Sequence, residues 1–283
     1  MNIKTIGVVG CGLMGSGIVE VCARSGFNVI VGEANQALLE SGLSRVRKSL
    51  DRAVERGKLG KADAEAALGR ISGTTDLEDF AECDLAIEAV SEDPDLKQKI
   101  FHKLDQVLRP DVIIASNTSS ISIAVLASAT QRPDRVLGMH FFNPVPVMKL
   151  LELVRGILTS DETMDIARQV GQQLGKTTVV AKDSPGFIVN RLLIPFLLDA
   201  IRAYEAGLAS KEDIDTAVHL GLAHPMGPLT LCDLVGLDTT LAVADVMYEE
   251  FGEPRFKAPP LLRQMVAAGL LGRKSGRGFY DYS

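Results

Sequence analysis

The chain has 283 residues, 46% hydrophobic and 23% charged, enough to build a sizeable core in one large domain or two ordinary ones. A net charge of −6 and a pI near 5.3 exclude general affinity for nucleic acid or an anionic membrane surface. The longest uncharged stretch, residues 112–131, is broken by Asn117, Thr118 and several serines and does not read as a membrane span.

The opening MNIKTIGVVG turns glycine-rich before the apolar core of a signal peptide could form. Five β-branched or apolar runs predict buried parallel strands: IGVVG (6–10), NVIVG (28–32), LAIEAV (85–90), VIIAS (112–116) and VLGMHFF (136–142). Helical patterns separate them. Leu39, Leu43, Val46, Leu50 and Val54 recur at three- and four-residue steps and predict one face of a long helix over 39–61. Asp93–Pro94 is a capping residue followed by proline at the first helical position. This β/α alternation predicts an α/β fold with a doubly wound, mostly parallel sheet over residues 1–183. After VVAKDSPG the strand-like runs stop, so an all-helical domain is expected over 184–283, its first helix opening at Ser184–Pro185.

Cys11, Cys22, Cys83 and Cys232 are scattered, with no CxxC and no paired Cys/His spacing. They predict no disulfide framework and no metal site, and a reduced, cytoplasmic compartment.

The stretch VVGCGLMGSG sets Gly10, Gly12 and Gly15 in a GxGxxG spacing directly after the first strand. A helix follows, with Met14, Ile18, Val21 and Cys22 on one side and Gly26 ending it. Strand, glycine turn and helix together predict a Rossmann-type dinucleotide site in which Gly10, Gly12, Leu13, Met14 and Gly15 wrap a pyrophosphate at a helix N-terminus. Glu33, after the second strand, would accept from the adenosine ribose hydroxyls and repel a 2′-phosphate, which favours NAD over NADP. An ordinary glycine-rich turn is the competing reading. Glu92, with Lys97 one turn into the next helix, and Asn117, Thr118 and Ser119 lie beyond later strand ends, where ligands of open α/β sheets bind. Hydroxyl-rich loops also serve simply as helix caps, and for Ser119 both readings stand.

GMHFFNPVPVMKLLELV is almost wholly apolar yet holds His140 and Glu152. If the chain reverses about Pro146, the two fall opposite one another on paired strands, with Cβ atoms about 4.5–5.5 Å apart. Glu152 could then fix the tautomer of His140 and stabilise its imidazolium, a base with its orienter. A histidine of that kind can take a hydroxyl proton while hydride leaves the same carbon. A buried, satisfied structural pair is the alternative. Asn190, on the helix expected from Pro185, is a poor interior helix residue and, if buried, needs a partner. A ligand carbonyl or a neighbouring backbone group would serve equally. The long helix carries Arg45, Arg47, Lys48, Arg52, Arg56, Lys58 and Lys61 against Asp51 and Glu55. That face either attracts a polyanionic ligand arm or is merely solvated.

Taken together, VVGCGLMGSG, IEAVSED, ASNTSS, GMHFFNPVPVMKLLELV, DSPGFIVNR, HPMGP and LGRKSGRGFYDY resemble, over essentially the whole chain, the short-chain L-3-hydroxyacyl-CoA dehydrogenase family, in particular its bacterial 3-hydroxybutyryl-CoA type. The resemblance implies His140 as acid/base with Glu152 as partner, and Ser119 and Asn190 at the reacting oxygens of an acyl-CoA substrate. It implies Glu33, Glu92, Lys97, Asn143 and Lys274 around NAD, with Ser119 close to the nicotinamide. Coenzyme A is expected along the long helix at Ser49 and Arg56, and a homodimer through the helical domain. Glu33 stands where the family commonly has Asp, and Arg56 where it often has Lys. Two rivals remain open: a dehydrogenase of a free hydroxy or sugar acid, and a non-catalytic NAD-binding protein.

Overall fold

The computed structural model describes residues 3–283; Met1 and Asn2, part of the first expected domain, lie outside the described residues. The chain divides into two compact units, one ending at Ser184 and the other Pro185–Ser283.

In the first unit the elements run β1 (Thr5–Val9), α1 (Leu13–Arg24), β2 (Asn28–Gly32), α2 (Gln36–Glu55), α3 (Lys61–Leu68), β3 (Ile71–Thr74), β4 (Leu85–Glu88), α4 (Pro94–Val107), β5 (Ile113–Ser116), α5 (Ile123–Ala127), β6 (Val136–Phe141), β7 (Leu150–Arg155), α6 (Asp161–Gln173) and β8 (Thr177–Lys182). Among the described residues the strands form one eight-stranded sheet in the order β3-β2-β1-β4-β5-β6-β7-β8. The strands from β3 to β6 are parallel; β7 runs antiparallel to β6, and β8 parallel to β7. Helices cover the faces, so β4 and β5 are buried at every position, which is why their sequences read as unbroken apolar runs. The strand order reverses between β1 and β4, and the crevice beyond the carboxyl ends of those strands is where an open sheet of this kind takes its ligand.

The second unit is helical: α7 (Val189–Glu205), α8 (Lys211–Gly221), α9 (Pro228–Val235), α10 (Leu237–Phe251) and α11 (Pro260–Ala267). Leu197, Leu198, Leu229, Leu237, Met247 and Phe256 are among the side chains of its core. Its terminal segment is tied down by buried Asp233, which accepts from Phe279 N at 2.9 Å, Tyr280 N at 2.9 Å and the Tyr282 hydroxyl at 3.0 Å. A buried carboxylate is tolerable when its oxygens are paired in this way.

Three sequence expectations need correction. The long basic helix ends at Glu55, not 61: Arg56 is its C-cap, Lys58 lies in the connection, and Lys61 opens α3. Gly57, with φ +66°, turns the chain there. The first helix of the second unit starts at Val189 rather than at Ser184–Pro185, because Gly186 and Phe187 take positive φ (79° and 47°) and break any helix through them. Asn190 is therefore a half-buried residue of the first helical turn, where asparagine is at home, and not a helix-interior anomaly. The strand expected after Pro146 begins at Leu150, since Val147 and Met148 belong to the turn, both donating their backbone N–H to the Pro144 carbonyl.

Candidate active site

The register of β6 with β7 sets Met139 opposite Leu153, His140 opposite Glu152 and Phe141 opposite Leu151. His140 Nδ1 lies 2.6 Å from Glu152 Oε2, with the glutamate fully buried and the histidine nearly so. The imidazole also packs on Phe142, ring centroids 4.6 Å apart. The carboxylate, fixed on the paired strand, holds the imidazole in one orientation.

The glycine turn has the build of a pyrophosphate cradle. Gly10 sits at φ +91°, and a Cβ there would meet the Ala89 carbonyl at 2.8 Å. A Cβ on Gly15 would come within 1.9 Å of the Gly10 carbonyl oxygen, so only glycine lets α1 start this close to β1. Gly12 caps α1 with no side-chain bond to the helix, and a Cβ there would meet nothing within 4 Å. Leu13, 67% exposed, and Met14 follow on the first turn. Glu33 curls back so that Oε1 accepts from Cys11 N at 2.6 Å and Oε2 from Ala34 N at 3.2 Å. A carboxylate pre-oriented beside a glycine turn and an open helix N-terminus fits the ribose and pyrophosphate of a dinucleotide.

At the ends of β4 and β5, Glu92 Oε1 collects the hydroxyl of Thr118 (2.5 Å) and the backbone N–H groups of Ser119 (2.9 Å) and Ser120 (3.1 Å). Burial would raise its carboxyl pKa, but the Lys97 ammonium and these bonds outweigh it and hold the group below its usual range. Lys97 itself is 1% exposed, its Nζ 2.7 and 2.8 Å from the two Glu88 oxygens and 3.3 Å from Glu92 Oε2. Asn117 accepts from Phe141 N at 2.9 Å, tying the end of β5 to the strand that carries His140. Asn143 is exposed just beyond that strand.

Arg45, Ser49 and Arg52 share one stripe of α2 at steps of four and three residues, and Arg56, its C-cap, follows at the next step of four. Arg45 reaches the Cys11 carbonyl at 3.4 Å. Lys274 belongs to the helical unit, where its Nζ holds Asp238 Oδ2 at 2.6 Å. Burial pushes the thiols of Cys11, Cys22, Cys83 and Cys232 up to about 12, so none is a nucleophile at neutral pH.

Sequence reasoning missed Glu88. It sits in LAIEAV, a carboxylate inside an apolar strand, the same signal that singles out His140 and Glu152.

The family model described as "3-hydroxyacyl-CoA dehydrogenase, NAD binding domain" matches residues 5–184, and that for the C-terminal domain matches residues 186–282. A curated 3-hydroxybutyryl-CoA dehydrogenase of Mycobacterium tuberculosis is 54% identical over 285 residues, covering 99% of each chain. The crystal structure of M. tuberculosis FadB2 superposes with a TM-score of 0.98 at 53% identity, covering 100% of both chains. That of (S)-3-hydroxybutyryl-CoA dehydrogenase PaaH1 from Ralstonia eutropha does so with a TM-score of 0.96 at 50% identity, again over 100% of both. Agreement over the full length, in sequence and in fold alike, assigns the chain to the 3-hydroxyacyl-CoA dehydrogenase family.

Proposed function

We propose that the protein catalyses the NAD-dependent, reversible oxidation of (S)-3-hydroxyacyl-CoA to 3-oxoacyl-CoA, with 3-hydroxybutyryl-CoA and acetoacetyl-CoA as the short-chain pair. Relatives bearing that name at high identity support the substrate class. The observation that carries the chemistry is the 2.6 Å contact of His140 Nδ1 with Glu152 Oε2.

When bound, NAD supplies the hydride acceptor at its nicotinamide ring. His140 Nε2 takes the proton from the 3-hydroxyl as the C3–H bond breaks and the C3–O bond becomes a carbonyl. Glu152 stabilises the imidazolium so formed. In reduction the imidazolium returns its proton to the nascent alkoxide. Ser119 and Asn190 are assigned to hydrogen bonds with the substrate's oxygens, and Glu92, Asn117, Asn143 and Lys274 to the cofactor surroundings. Ser49, on the basic stripe of α2, and Arg56, at its C-cap, are assigned to coenzyme A.

Loss of NADH absorbance on adding acetoacetyl-CoA, and not on adding free acetoacetate, is the expected result. Oxidation of NADH by free acetoacetate alone would favour a dehydrogenase of free acids, and no turnover with either would favour a non-catalytic NAD-binding protein. Charge reversal at Arg56 is expected to raise KM for the CoA ester about tenfold, the loss of one exposed phosphate contact, with kcat retained.

A cytoplasmic setting accords with four free, buried cysteines. The helical unit is proposed to join two copies, for Leu192, Leu208 and Leu220 each stay more than 70% exposed there. Sedimentation equilibrium giving a 30.3 kDa species would contradict that.

A further inference from the structure

Among the described residues of the first unit, Glu88 and Lys97 are the most deeply buried ion pair, 0% and 1% exposed at their side chains. Burying such a pair is costly, and an apolar pair of the same volume is often as stable. Packing alone does not account for it, but its connections do. Glu88 Oε1 also accepts from Val90 N at 2.6 Å, and Oε2 from the Ser116 hydroxyl at 2.6 Å. Ser116 Oγ in turn accepts from Thr118 N at 3.1 Å, and the Glu88 carbonyl accepts from Asn117 N at 2.8 Å. On the other side, Lys97 reaches past Glu88 to Glu92, whose Oε1 contacts the Ser119 hydroxyl at 3.4 Å and the Ser120 hydroxyl at 3.0 Å besides the bonds already described.

Residues 117–122 have neither helix nor strand to order them. Asn117, through Phe141 N, and Ser122, through Asp183 Oδ2 at 2.7 Å, anchor the segment's two ends. Between them run two further routes, one through Ser116 and one through Lys97 and Glu92, and both start at the Glu88 carboxylate. We propose that Glu88 is a positioning residue for the reaction: through Lys97, Glu92 and Ser116 it fixes the loop that presents Ser119 to the substrate. The proposal rests on the dehydrogenase reading, which gives Ser119 its contact. The Lys97 Nζ, 2.7 and 2.8 Å from the Glu88 oxygens and 3.3 Å from Glu92 Oε2, sets the distance between the two carboxylates. With Glu88 neutral, the ammonium pairs with Glu92 alone, draws it inward and takes its oxygens from the loop.

The test combines hydrogen exchange of the 117–122 segment with steady-state kinetics of Glu88→Gln, Ser119→Ala and the double variant. Glu88→Gln is expected to speed exchange of the 119–121 amides about tenfold or more while the strands stay protected. It is also expected to lower kcat/KM for acetoacetyl-CoA by about 10²-fold, chiefly in kcat, as misplacement of a positioned group does. In the Ser119→Ala background the same substitution is expected to cost less than about twofold, because Glu88 acts through that hydroxyl. An unchanged loop, or a loss as large with Ser119 removed as with it present, overturns the proposal. Should Glu88→Gln fail to fold, Glu88→Gln/Lys97→Met leaves no charge buried at either position and cuts the route from Lys97 to Glu92, so faster exchange of the 119–121 amides and a lower kcat/KM are again expected. Inactivity of the wild type toward acetoacetyl-CoA would defeat the dehydrogenase reading by itself, and the exchange result would still decide whether Glu88 orders the loop.

Discussion

His140→Gln is expected to lower kcat with acetoacetyl-CoA by about 10²–10⁴-fold, the range that a positioned acid/base contributes. Glutamine keeps the volume and a hydrogen-bonding end, so the β6–β7 pairing and the contact with Glu152 are retained in kind. What disappears is the group that changes protonation state. NADH affinity, read by calorimetry because the chain has no tryptophan to report on it, is expected to stay within about twofold, since the substitution leaves the glycine turn and Glu33 untouched. A loss of cofactor binding as large as the loss of rate would make the pair a structural support of the fold rather than the seat of proton transfer.

Gly15→Ala strikes the other half of the site. Its new methyl would lie 1.9 Å from the Gly10 carbonyl oxygen, a backbone atom that cannot swing aside as a side chain could. Forcing extra volume into packed structure costs about 1–3 kcal/mol, and here either α1 or the turn must move. The expected result is a lower Tm together with NADH binding weakened by about tenfold or more. Gly12→Ala is the informative contrast, because a methyl there meets nothing within 4 Å of protein. It is expected to leave Tm unchanged and to weaken NADH alone, by crowding the pyrophosphate's approach. Equal Tm losses in the two variants would contradict the separation of roles.

The parts legible in the sequence were those in which a single periodicity decides the outcome. The glycine spacing after IGVVG marks a strand-turn-helix because only glycine admits the contacts of Gly10 and Gly15. The pairing of His140 with Glu152 follows from the two-residue period of strands once a turn is centred on Pro146. The sheet's two edges were not legible. Ile71–Thr74 and Thr177–Lys182 are partly exposed strands with serine, glycine or threonine in them, and they lack the buried apolar runs that mark β4 and β5. Ser184–Pro185 imitates the start of a capped helix, whereas α7 starts at Val189, beyond the positive φ of Gly186 and Phe187. The burial of Lys97 against Glu88 is a contact nine residues away that helix periodicity cannot reveal.

The central claim is that His140 and Glu152 act as one unit in proton transfer. A double-mutant cycle of kcat with acetoacetyl-CoA, over His140→Gln, Glu152→Gln and both together, tests it most directly. If Glu152 works only by orienting and charging His140, the double variant is no slower than His140→Gln alone, within about twofold, although Glu152→Gln by itself is slow. A double variant whose loss is the product of the two single losses would mean that the residues act independently, and would contradict the mechanism.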